Sequence, residues 1–432
     1  MIKIYKWSKI NKKDRAQIIR RATVDMAKIQ DYVSTWINVI KDEGDNGIVK
    51  YVREFDKKDF KITDLKVTQQ DIRDSYSKVN PEVVRILKKQ ISLSRQNAED
   101  RAESDLYLNS YTPGVQVGYK VTPIDSVGLA IPAGRVPYPT VMQILGVVAK
   151  AAKVPRIVAC YPPTGDYYEK IIAGDLAGVD EIYRVGGIAG IASMAYGTES
   201  IRPVLKISGP GNTYVQVAKK SVFGDVAIDM IAGPSENLII ADETAVPKYV
   251  AADLMCESEH SPDATSVLVT TNEQVARKVL AEVAKQIQSM SKKEIIKKSF
   301  KNYSAIIIVS SIEEAIDFTN EYAPEHMQIM TKEPFMVLEK IRNAGSIYLG
   351  NYSPVAVGNY ASGTNHVLPT ARWAKTSSAV GVETFQKRSE VEYVTKEGLG
   401  NLEEIVDVVS GIESFDAHWN TVAVRMGKKN RF

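Results

Sequence analysis

Two stretches of the chain alternate short apolar runs with helical patterns, and this alternation restricts the possible fold more than any other feature. In the first stretch, near-continuous apolar runs lie at Val127–Ile131, Arg156–Cys160, Glu181–Val185 and Val204–Ile207. Helical patterns separate these runs, over 140–154, 168–176 and 189–196. Apolar strands that alternate with helices predict a parallel sheet covered by helices on both faces. The first stretch is therefore predicted to form one α/β domain.

A second set of apolar runs follows, at Glu236–Asp242, Ser266–Thr270, Ala305–Val309 and Ser346–Leu349. Helical patterns lie between these runs, over 251–260, 273–290, 312–322 and 334–343. Two successive units of similar size predict a duplicated architecture. Neither unit carries G-x-G-x-x-G after its first strand, so the usual dinucleotide fingerprint is absent. We therefore predict an α/β fold with two Rossmann-like parallel-sheet domains.

The flanking segments lack this alternation. Residues 1–23 are polar and basic and predict an N-terminal arm that packs on something else. Helices are predicted over 23–55, with a break at Gly44–Gly47, and over 71–106. From about residue 373 the pattern predicts a helical C-terminal extension with a hairpin around Val391–Val394. The predicted domains are the arm at 1–23, an α/β metal and substrate domain at 24–105 with 237–372, an α/β nucleotide-side domain at 106–236, and the extension at 373–432.

Composition narrows the class of protein. A length of 432 residues predicts two or more domains. Lys and Arg total 55 against 52 acidic residues, a balance that does not suggest a nucleic-acid partner. The first residues have no apolar signal region, and no apolar run approaches the ~18–20 residues of a membrane span. Two cysteines cannot form a disulfide framework, which suits a reducing cytoplasm.

The first candidate site is the E-x-x-H pattern of Glu257 and His260. On a helix these residues share one face, with about 5–6 Å between their Cβ atoms, so both can reach one divalent ion. An exposed acidic helix end is the ordinary interpretation of an isolated pattern of this kind. The chain has only four histidines, and the other three also lie in polar, loop-like stretches, which favours the metal site. Ser261-Pro262 is predicted to end the helix.

Two further motifs carry possible chemistry. Glu325 and His326 are adjacent and can form an acid/base pair, or can simply be the capped end of a helix. The glycine loop Ser208–Tyr214 enters a predicted helix, where backbone amides can bind a phosphate, although a tight turn is the default interpretation. Cys256 is interpreted as a small buried residue, because no cation or helix N-terminus lies beside it to form a thiolate.

Together these stretches resemble the histidinol dehydrogenase family. The resemblance rests on GPGNTYVQVAK, DMIAGPSE, AADLMCESEH, YAPEHMQIM, NAGSIYLGNYSPVAVG and SGTNHVLPT, which occur in the order found in that family. It extends from about residue 127 to residue 418, with a weaker echo in GDNGIVKYVREFD near residue 50. The family is a zinc-dependent alcohol dehydrogenase that oxidises L-histidinol to L-histidine through an aldehyde, using NAD twice. The resemblance also implies a homodimer whose C-terminal extensions complete the partner's site.

The resemblance implies a set of metal ligands. Two histidine ligands match His260 and His418, whereas the family's glutamine position is Glu257 and its aspartate position is Asn359. Amide and carboxylate have therefore exchanged places, and the net charge of the ligand set is unchanged. We expect a divalent metal, zinc by resemblance, with Glu257 as its anionic ligand.

The remaining site residues follow from the same resemblance. His326 would take the alcohol proton, and Glu325 would activate the water that attacks the aldehyde. Substrate-contacting positions match Ser235, His366 and Glu413, and the nucleotide-side position Asn212 is present. Ala130 stands where the family has a tyrosine, and Ala189 where it has a glutamine. These two alanines are expected to weaken NAD binding or to shift the bound dinucleotide.

The sequence thus predicts a cytoplasmic, metal-dependent, NAD-linked dehydrogenase of histidine biosynthesis, with L-histidinol as its default substrate. A rival hypothesis is an enzyme of the same fold acting on another small polar alcohol. A third is a catalytically silent relative that binds a metal and a small ligand. The presence of both Glu325 and His326 argues against the silent protein.

Overall fold

The computed structural model describes residues 2–22, 26–132 and 137–429. Its strands, in chain order, are β1 (Lys3–Lys6), β2 (Leu106–Thr112), β3 (Val115–Pro123), β4 (Val127–Ala130), β5 (Ile157–Cys160), β6 (Glu181–Tyr183), β7 (Lys206–Ser208), β8 (Ala227–Ile228), β9 (Glu236–Ala241), β10 (Thr265–Thr270), β11 (Ala305–Ile308), β12 (His326–Met330), β13 (Ser346–Leu349) and β14 (Gln386–Val394).

The helices, in chain order, are α1 (Lys12–Arg20), α2 (Gln30–Glu43), α3 (Asp45–Phe55), α4 (Gln69–Lys78), α5 (Pro81–Asp100), α6 (Pro139–Ala151), α7 (Tyr168–Ala177), α8 (Gly187–Tyr196), α9 (Thr213–Val222), α10 (Pro247–Ser258), α11 (Glu273–Gln286), α12 (Lys293–Asn302), α13 (Ile312–Tyr322), α14 (Pro334–Leu338), α15 (Val355–Tyr360), α16 (Lys396–Ile412) and α17 (Asp416–Arg425). Short 3₁₀ turns lie at Trp7–Lys9, Met26–Ile29, Ile62–Asp64, Ile287–Ser289, Trp373–Lys375 and Val382–Phe385. No helix within the described residues is long and apolar enough to cross a bilayer.

The chain divides into two compact units. The first unit comprises Met1–Arg101 and Ile124–Phe385, and the second unit comprises Ala102–Pro123 and Gln386–Phe432. The first unit contains a five-stranded sheet and a six-stranded sheet, called here the first sheet and the second sheet.

The first sheet is parallel throughout, in the order β6-β5-β4-β7-β8. Helices cover both of its faces, as the apolar runs predict. One core contains Val127 and Leu129 of β4 together with Leu145 of α6. The opposite core contains Val158 of β5 together with Ile191 of α8.

The second sheet repeats this topology. Its order is β1-β11-β10-β9-β12-β13, and all of its pairings are parallel. Without β1, the order β11-β10-β9-β12-β13 corresponds strand for strand to that of the first sheet. The predicted fold class, two Rossmann-like parallel sheets in a duplicated arrangement, is therefore confirmed.

The N-terminal arm packs within its own chain. Lys3–Lys6 form β1 at the edge of the second sheet beside β11, and Ile18 and Ile19 of α1 join the core on one face of that sheet. The predicted helical start at Thr23 lies outside the described residues, and α2 begins at Gln30. A segment that is polar on average still carries enough apolar side chains to extend a sheet.

The helices between residues 30 and 100 correct the expected domain division. They were placed with 237–372, but their apolar faces pack on the first sheet. Val33 and Ile40 of α2 belong to the core that contains α8, and Ile91 of α5 belongs to the core that contains α6. The predicted helix over 71–106 is two helices, because Pro81 begins α5 with Asn80 as its N-cap. Its last residue, Leu106, begins β2.

The second unit is built on an antiparallel sheet of order β14-β3-β2. The expected hairpin around Val391–Val394 is wrong, because these residues end β14, which pairs with β3 from far earlier in the chain. A pairing over such a sequence distance leaves no local turn signal. Helices α16 and α17 pack together around Trp419, Val422 and Ala423. Residues 373–385, expected in the extension, belong to the first unit, where Phe385 is buried in a core.

Candidate functional site

A cavity of about 770 Å³, called here the central cavity, is lined by residues that follow strands of the first sheet and residues that precede strands of the second. Ala130 ends β4, and Gly209 follows β7. Ser235 directly precedes β9, and Glu325 directly precedes β12. The carboxyl edge of one sheet therefore faces the amino edge of the other. The volume is within the usual range of about 300–1,000 Å³ for small-molecule and cofactor sites.

Helix α10 brings the E-x-x-H pattern to this amino edge. The helix begins at Pro247 after β9 and returns across the sheet, so that Glu257 lies in its last turn and His260 just beyond its end. Glu257 is only 2% exposed. Its Oε2 lies 3.5 Å from Nε2 of His260, which borders the central cavity. The predicted helix is present, but it ends at Ser258, before the predicted end at Ser261-Pro262, so His260 lies beyond the helix. The carboxylate is buried rather than solvated.

Asn359 borders the same cavity from α15, which packs against α10. Its Oδ1 is buried and makes no hydrogen bond to any described residue. Buried polar atoms nearly always have a partner, so an unpartnered amide oxygen that lies beside a cavity points to a missing ligand. Carboxylate, imidazole and amide oxygen are all groups that bind divalent cations. Glu257, His260 and Asn359 therefore fit a metal, although the described residues contain no cluster of three His, Cys, Asp or Glu side chains.

His326 begins strand β12 and Glu325 directly precedes it, whereas α13 already ends at Tyr322, so the alternative interpretation as a capped helix end is wrong. Oε2 of Glu325 accepts a hydrogen bond of 2.8 Å from the backbone N–H of Glu236, and its Oε1 lies 3.9 Å from Nε2 of His326. Glu325 borders the central cavity. His326 is 2% exposed and is not one of the residues that line the cavity.

Burial governs the protonation of this pair. It raises the pKa of Glu325 well above its usual range, and the nearby carboxylate of Glu257 raises it further. Burial also lowers the pKa of His326, and the Glu257 carboxylate opposes that effect. Both residues are therefore held toward their neutral forms, which is the state in which a histidine can accept a proton.

A buried arginine from the N-terminal arm fixes the residue that holds Glu325 in place. Arg21 forms an ion pair with Glu236, donates a hydrogen bond to the carbonyl oxygen of Tyr322 and lies 3.7 Å above the ring of Tyr322. The Glu236 carboxylate also accepts a hydrogen bond of 2.8 Å from the backbone N–H of Ala371. Glu236 is thus fixed by both oxygens while its backbone N–H holds Glu325. Sequence inspection missed Arg21, because nothing local distinguishes it from Arg20.

Ser235 and His366 also border the central cavity. Nε2 of His366 is buried and has no partner among the described side chains and backbone groups. Burial lowers the pKa of His366 to about 4, so its imidazole is neutral at pH 7.

Glu413 and His418 belong to the second unit. Glu413 caps the C-terminal end of α16, and His418 lies in α17, with its ring 5.0 Å from that of Phe415. Both line an apolar groove of about 250 Å³ in that unit. The predicted ligand His418 and the predicted substrate contact Glu413 are therefore found on a structural element separate from the other site residues.

Asn212, the expected nucleotide contact, borders the central cavity, and its Oδ1 caps α9 by accepting a hydrogen bond of 3.1 Å from the N–H of Val215. Asp229 fixes the preceding loop, since its Oδ2 accepts hydrogen bonds from the N–H of Gly209 at 2.8 Å and from the hydroxyl of Ser208 at 2.9 Å. Asp229 is itself held by a buried ion pair with Lys219. The glycine loop is thus both a helix-capping turn and a fixed wall of the cavity.

The two alanines have different positions. Ala130 borders the central cavity at the end of β4, where its methyl group fills less of the cavity than a tyrosine side chain would. Ala189 is fully buried in the core between the first sheet and α8, and it does not border the cavity. Aromatic side chains that the sequence did not single out border the cavity instead, namely Tyr32, Tyr51, Phe55 and Tyr214.

Comparison with known proteins agrees with these observations. The histidinol dehydrogenase family model matches residues 19–426. The histidinol dehydrogenase of Methanothermobacter thermautotrophicus is 43% identical over 406 residues, covering 93% of this chain and 95% of that protein. That of Clostridium acetobutylicum is 42% identical over 405 residues, covering 92% and 93%. The crystal structure of histidinol dehydrogenase from Elizabethkingia anophelis superposes with a TM-score of 0.94 at 34% identity, covering 99% of this chain and 98% of that one. With the family model matched over most of the chain, relatives that are 43% and 42% identical and the same fold over nearly its whole length, the chain belongs to the histidinol dehydrogenase family.

Proposed function

We propose that this protein is a metal-dependent, NAD-linked oxidoreductase that converts L-histidinol to L-histidine through the aldehyde. The observation that carries the proposal is the arrangement around the central cavity. A buried acid/base carboxyl, Glu325, borders the same space as His260 and the unpartnered amide oxygen of Asn359. Membership of the histidinol dehydrogenase family supports the choice of substrate.

The residues that would hold the metal are Glu257, His260 and Asn359, together with His418 of a second copy. A bound divalent cation would supply a positive charge that orients the amine and imidazole groups of the substrate. Glu257 would then no longer act on Glu325 as an uncompensated negative charge, because the cation neutralises it. The pKa of Glu325 would fall toward the range of a useful base.

In the first oxidation, the alcohol oxygen loses its proton to the acid/base pair while the neighbouring carbon loses a hydride. His326 is the proton acceptor in this proposal, and Oε1 of Glu325 lies 3.9 Å from its Nε2. In the second oxidation, Glu325 accepts a proton from the water that adds to the aldehyde carbon, and the resulting hydrate then loses a second hydride to give the carboxylic acid. Ser235 and His366 are proposed to orient the substrate, since both border the cavity in neutral form.

The dinucleotide, which accepts the hydride when bound, would be held against the first sheet. Asn212 and the loop fixed by Asp229 form the wall at the end of β7, which adjoins β4 where the strand order reverses, the usual ligand position in such sheets. Tyr51 and Phe55 offer ring surfaces near Ala130. Direct titration with NAD tests this assignment, and weak binding would show that the rings do not replace the family's tyrosine.

The decisive assay is NADH formation from L-histidinol by zinc-loaded protein. His326→Asn and Glu325→Gln are expected to abolish turnover while leaving the fold intact. An absence of turnover by the metal-loaded wild-type protein would instead favour a dehydrogenase of another small polar alcohol. Binding of substrate and metal without any turnover on a panel of such alcohols would favour the silent relative.

We also propose a homodimer in which Glu413 and His418 complete the site of the partner chain. The separate position of these residues in the second unit supports the proposal, as does the apolar surface of α16, where Ile405, Val408 and Ile412 are exposed. Light scattering on the purified protein tests it, and a monomer at micromolar concentration would contradict it.

A further inference from the structure

Tyr348 contacts the acid/base histidine on the side away from Glu325. It lies on β13, the neighbour of β12, and is 8% exposed. Its hydroxyl oxygen is 3.0 Å from Nδ1 of His326, and the two rings are nearly parallel with centroids 5.9 Å apart. The imidazole is therefore held between a phenol at Nδ1 and the Glu325 carboxyl near Nε2.

This contact bears on which nitrogen of His326 carries the proton. In a neutral imidazole one ring nitrogen donates and the other accepts. If Tyr348 donated to Nδ1, the proton would be on Nε2, and the nitrogen nearer the cavity would have no lone pair to offer. If Nδ1–H donates to the phenol oxygen, Nε2 is free to accept a proton.

The chemistry of the phenol allows the second arrangement. A hydroxyl group accepts as well as donates, so the Tyr348 oxygen can accept from Nδ1–H of His326. Burial raises the pKa of Tyr348, so that the group remains a neutral phenol whose oxygen can accept from an imidazole.

We propose that Tyr348 is a positioning residue that holds His326 in the Nδ1–H tautomer, leaving Nε2 as the base. The inference rests on the proposed function for the identity of the proton donor. The alcohol proton passes to Nε2, the resulting imidazolium keeps its Nδ1–H bonded to the phenol oxygen, and the Nε2 proton leaves through Glu325 to water. The phenol oxygen accepts the same hydrogen bond before and after transfer, so the ring need not reorient.

Tyr348 also contacts the helix that carries Asn359. A Cβ added at Gly358 would lie 2.4 Å from Cε1 of the Tyr348 ring and 2.9 Å from its hydroxyl oxygen. The ring therefore sets how closely α15 approaches, whereas the hydroxyl alone acts on His326. Tyr348→Phe removes the contact of the hydroxyl with His326 and keeps the packing of the ring against α15. It therefore tests the hydroxyl alone.

The tautomer can be measured without any turnover. In zinc-loaded protein with ¹⁵N-labelled histidine, the resonances of His326 are assigned by their loss in His326→Asn. We expect the wild-type protein to show a protonated Nδ1 and an unprotonated Nε2, and Tyr348→Phe to show a mixture or the reverse. An Nε2–H tautomer in the wild-type protein, or an unchanged tautomer in Tyr348→Phe, would overturn the proposal. This result stands whether or not L-histidinol proves to be the substrate.

Kinetics supply the second test. Tyr348→Phe is expected to lower kcat by about tenfold to a hundredfold, part of the contribution of a positioned base, with KM changed less than about threefold. Tyr183→Phe is the matched control, since it removes a buried hydroxyl bonded to Glu181 in the first sheet, and its kcat should equal that of the wild type. An undiminished kcat in folded Tyr348→Phe would refute the positioning role.

Discussion

Exchanging the two unusual metal ligands tests the site most directly. Glu257 is the one carboxylate among the four proposed ligands, and the amide oxygen of Asn359 has no hydrogen-bond partner among the described groups. Glu257→Gln removes that charge and leaves two amides and two imidazoles. Glu257→Gln combined with Asn359→Asp restores one carboxylate, one amide and two imidazoles, with the charge moved from α10 to α15.

The expected size of the effect follows from the lost charge. A unit charge 4 Å from another contributes about 4 kcal/mol at an effective dielectric constant of about 20, the value suited to partly buried sites. Because zinc carries two charges, this figure is a minimum, and at about 1.4 kcal/mol for each factor of ten Glu257→Gln should weaken zinc binding by at least about a thousandfold. The double variant should recover to within about tenfold of the wild type, because its ligand inventory is the same.

Zinc affinity is measured by competition with a chromogenic chelator, so that no activity is needed. Glu259→Gln serves as the matched control, since Glu259 lies two residues along the chain, its side chain is 46% exposed and it forms an ion pair with Lys292 at 3.6 Å. Its zinc affinity should equal that of the wild type. Wild-type affinity in Glu257→Gln, or a double variant no better than Glu257→Gln alone, would refute the ligand assignment.

Three further predictions concern the dimer, the arm and the dependence on pH. Chains carrying His326→Asn and chains carrying His418→Asn, each inactive alone, should regain about a quarter of wild-type activity when coexpressed. About half of random dimers are mixed, and one of the two sites in each mixed dimer then has both histidines. No recovery would show that His326 and His418 of one chain serve the same site. Arg21→Met should lower the free energy of unfolding by about 3–5 kcal/mol in urea titration, because Glu236 would remain buried without its partner, and a loss below about 1 kcal/mol would contradict this. Stability should fall as the pH drops from about 6.5 to 4, because the folded chain, with the pKa of His366 lowered to about 4, binds fewer protons there than the unfolded chain. His366→Gln should flatten that slope, and an unchanged slope would exclude His366 as its source.

The sequence predicted the two sheets because their strands are nearly continuous apolar runs. It missed β12, although every residue from His326 to Met330 is buried, because two of those side chains are polar. Gln328 is tolerated there since its amide donates to the Asp253 carboxylate at 2.7 Å and its carbonyl accepts from Asn237 at 3.1 Å. A buried strand whose polar groups are satisfied by distant residues carries no periodic signal.

The site was predictable only where its parts are neighbours in sequence. The spacing of Glu257 and His260 and the adjacency of Glu325 and His326 are local patterns, so both could be identified from residue types. The supporting contacts join residues far apart in the chain, such as Arg21 with Glu236. For the same reason the helices of 30–100 were placed with the wrong sheet, since an amphipathic helix shows which face is buried and not what covers it.

The opposed edges of the two sheets give the central cavity two electrostatic poles. Helix α9 begins at Thr213, and its N-cap Asn212 borders the cavity. Helix α10 ends at Ser258, two residues before His260, which also borders the cavity. The aligned peptide dipoles place partial positive charge at the start of the one and partial negative charge at the end of the other. Under the proposed function, a diphosphate would thereby be attracted to one wall and a cation to the opposite wall. Because one topology is duplicated and its two copies face the cavity with opposite ends, the peptide dipoles alone would orient these two ligands, before any charged side chain contributes.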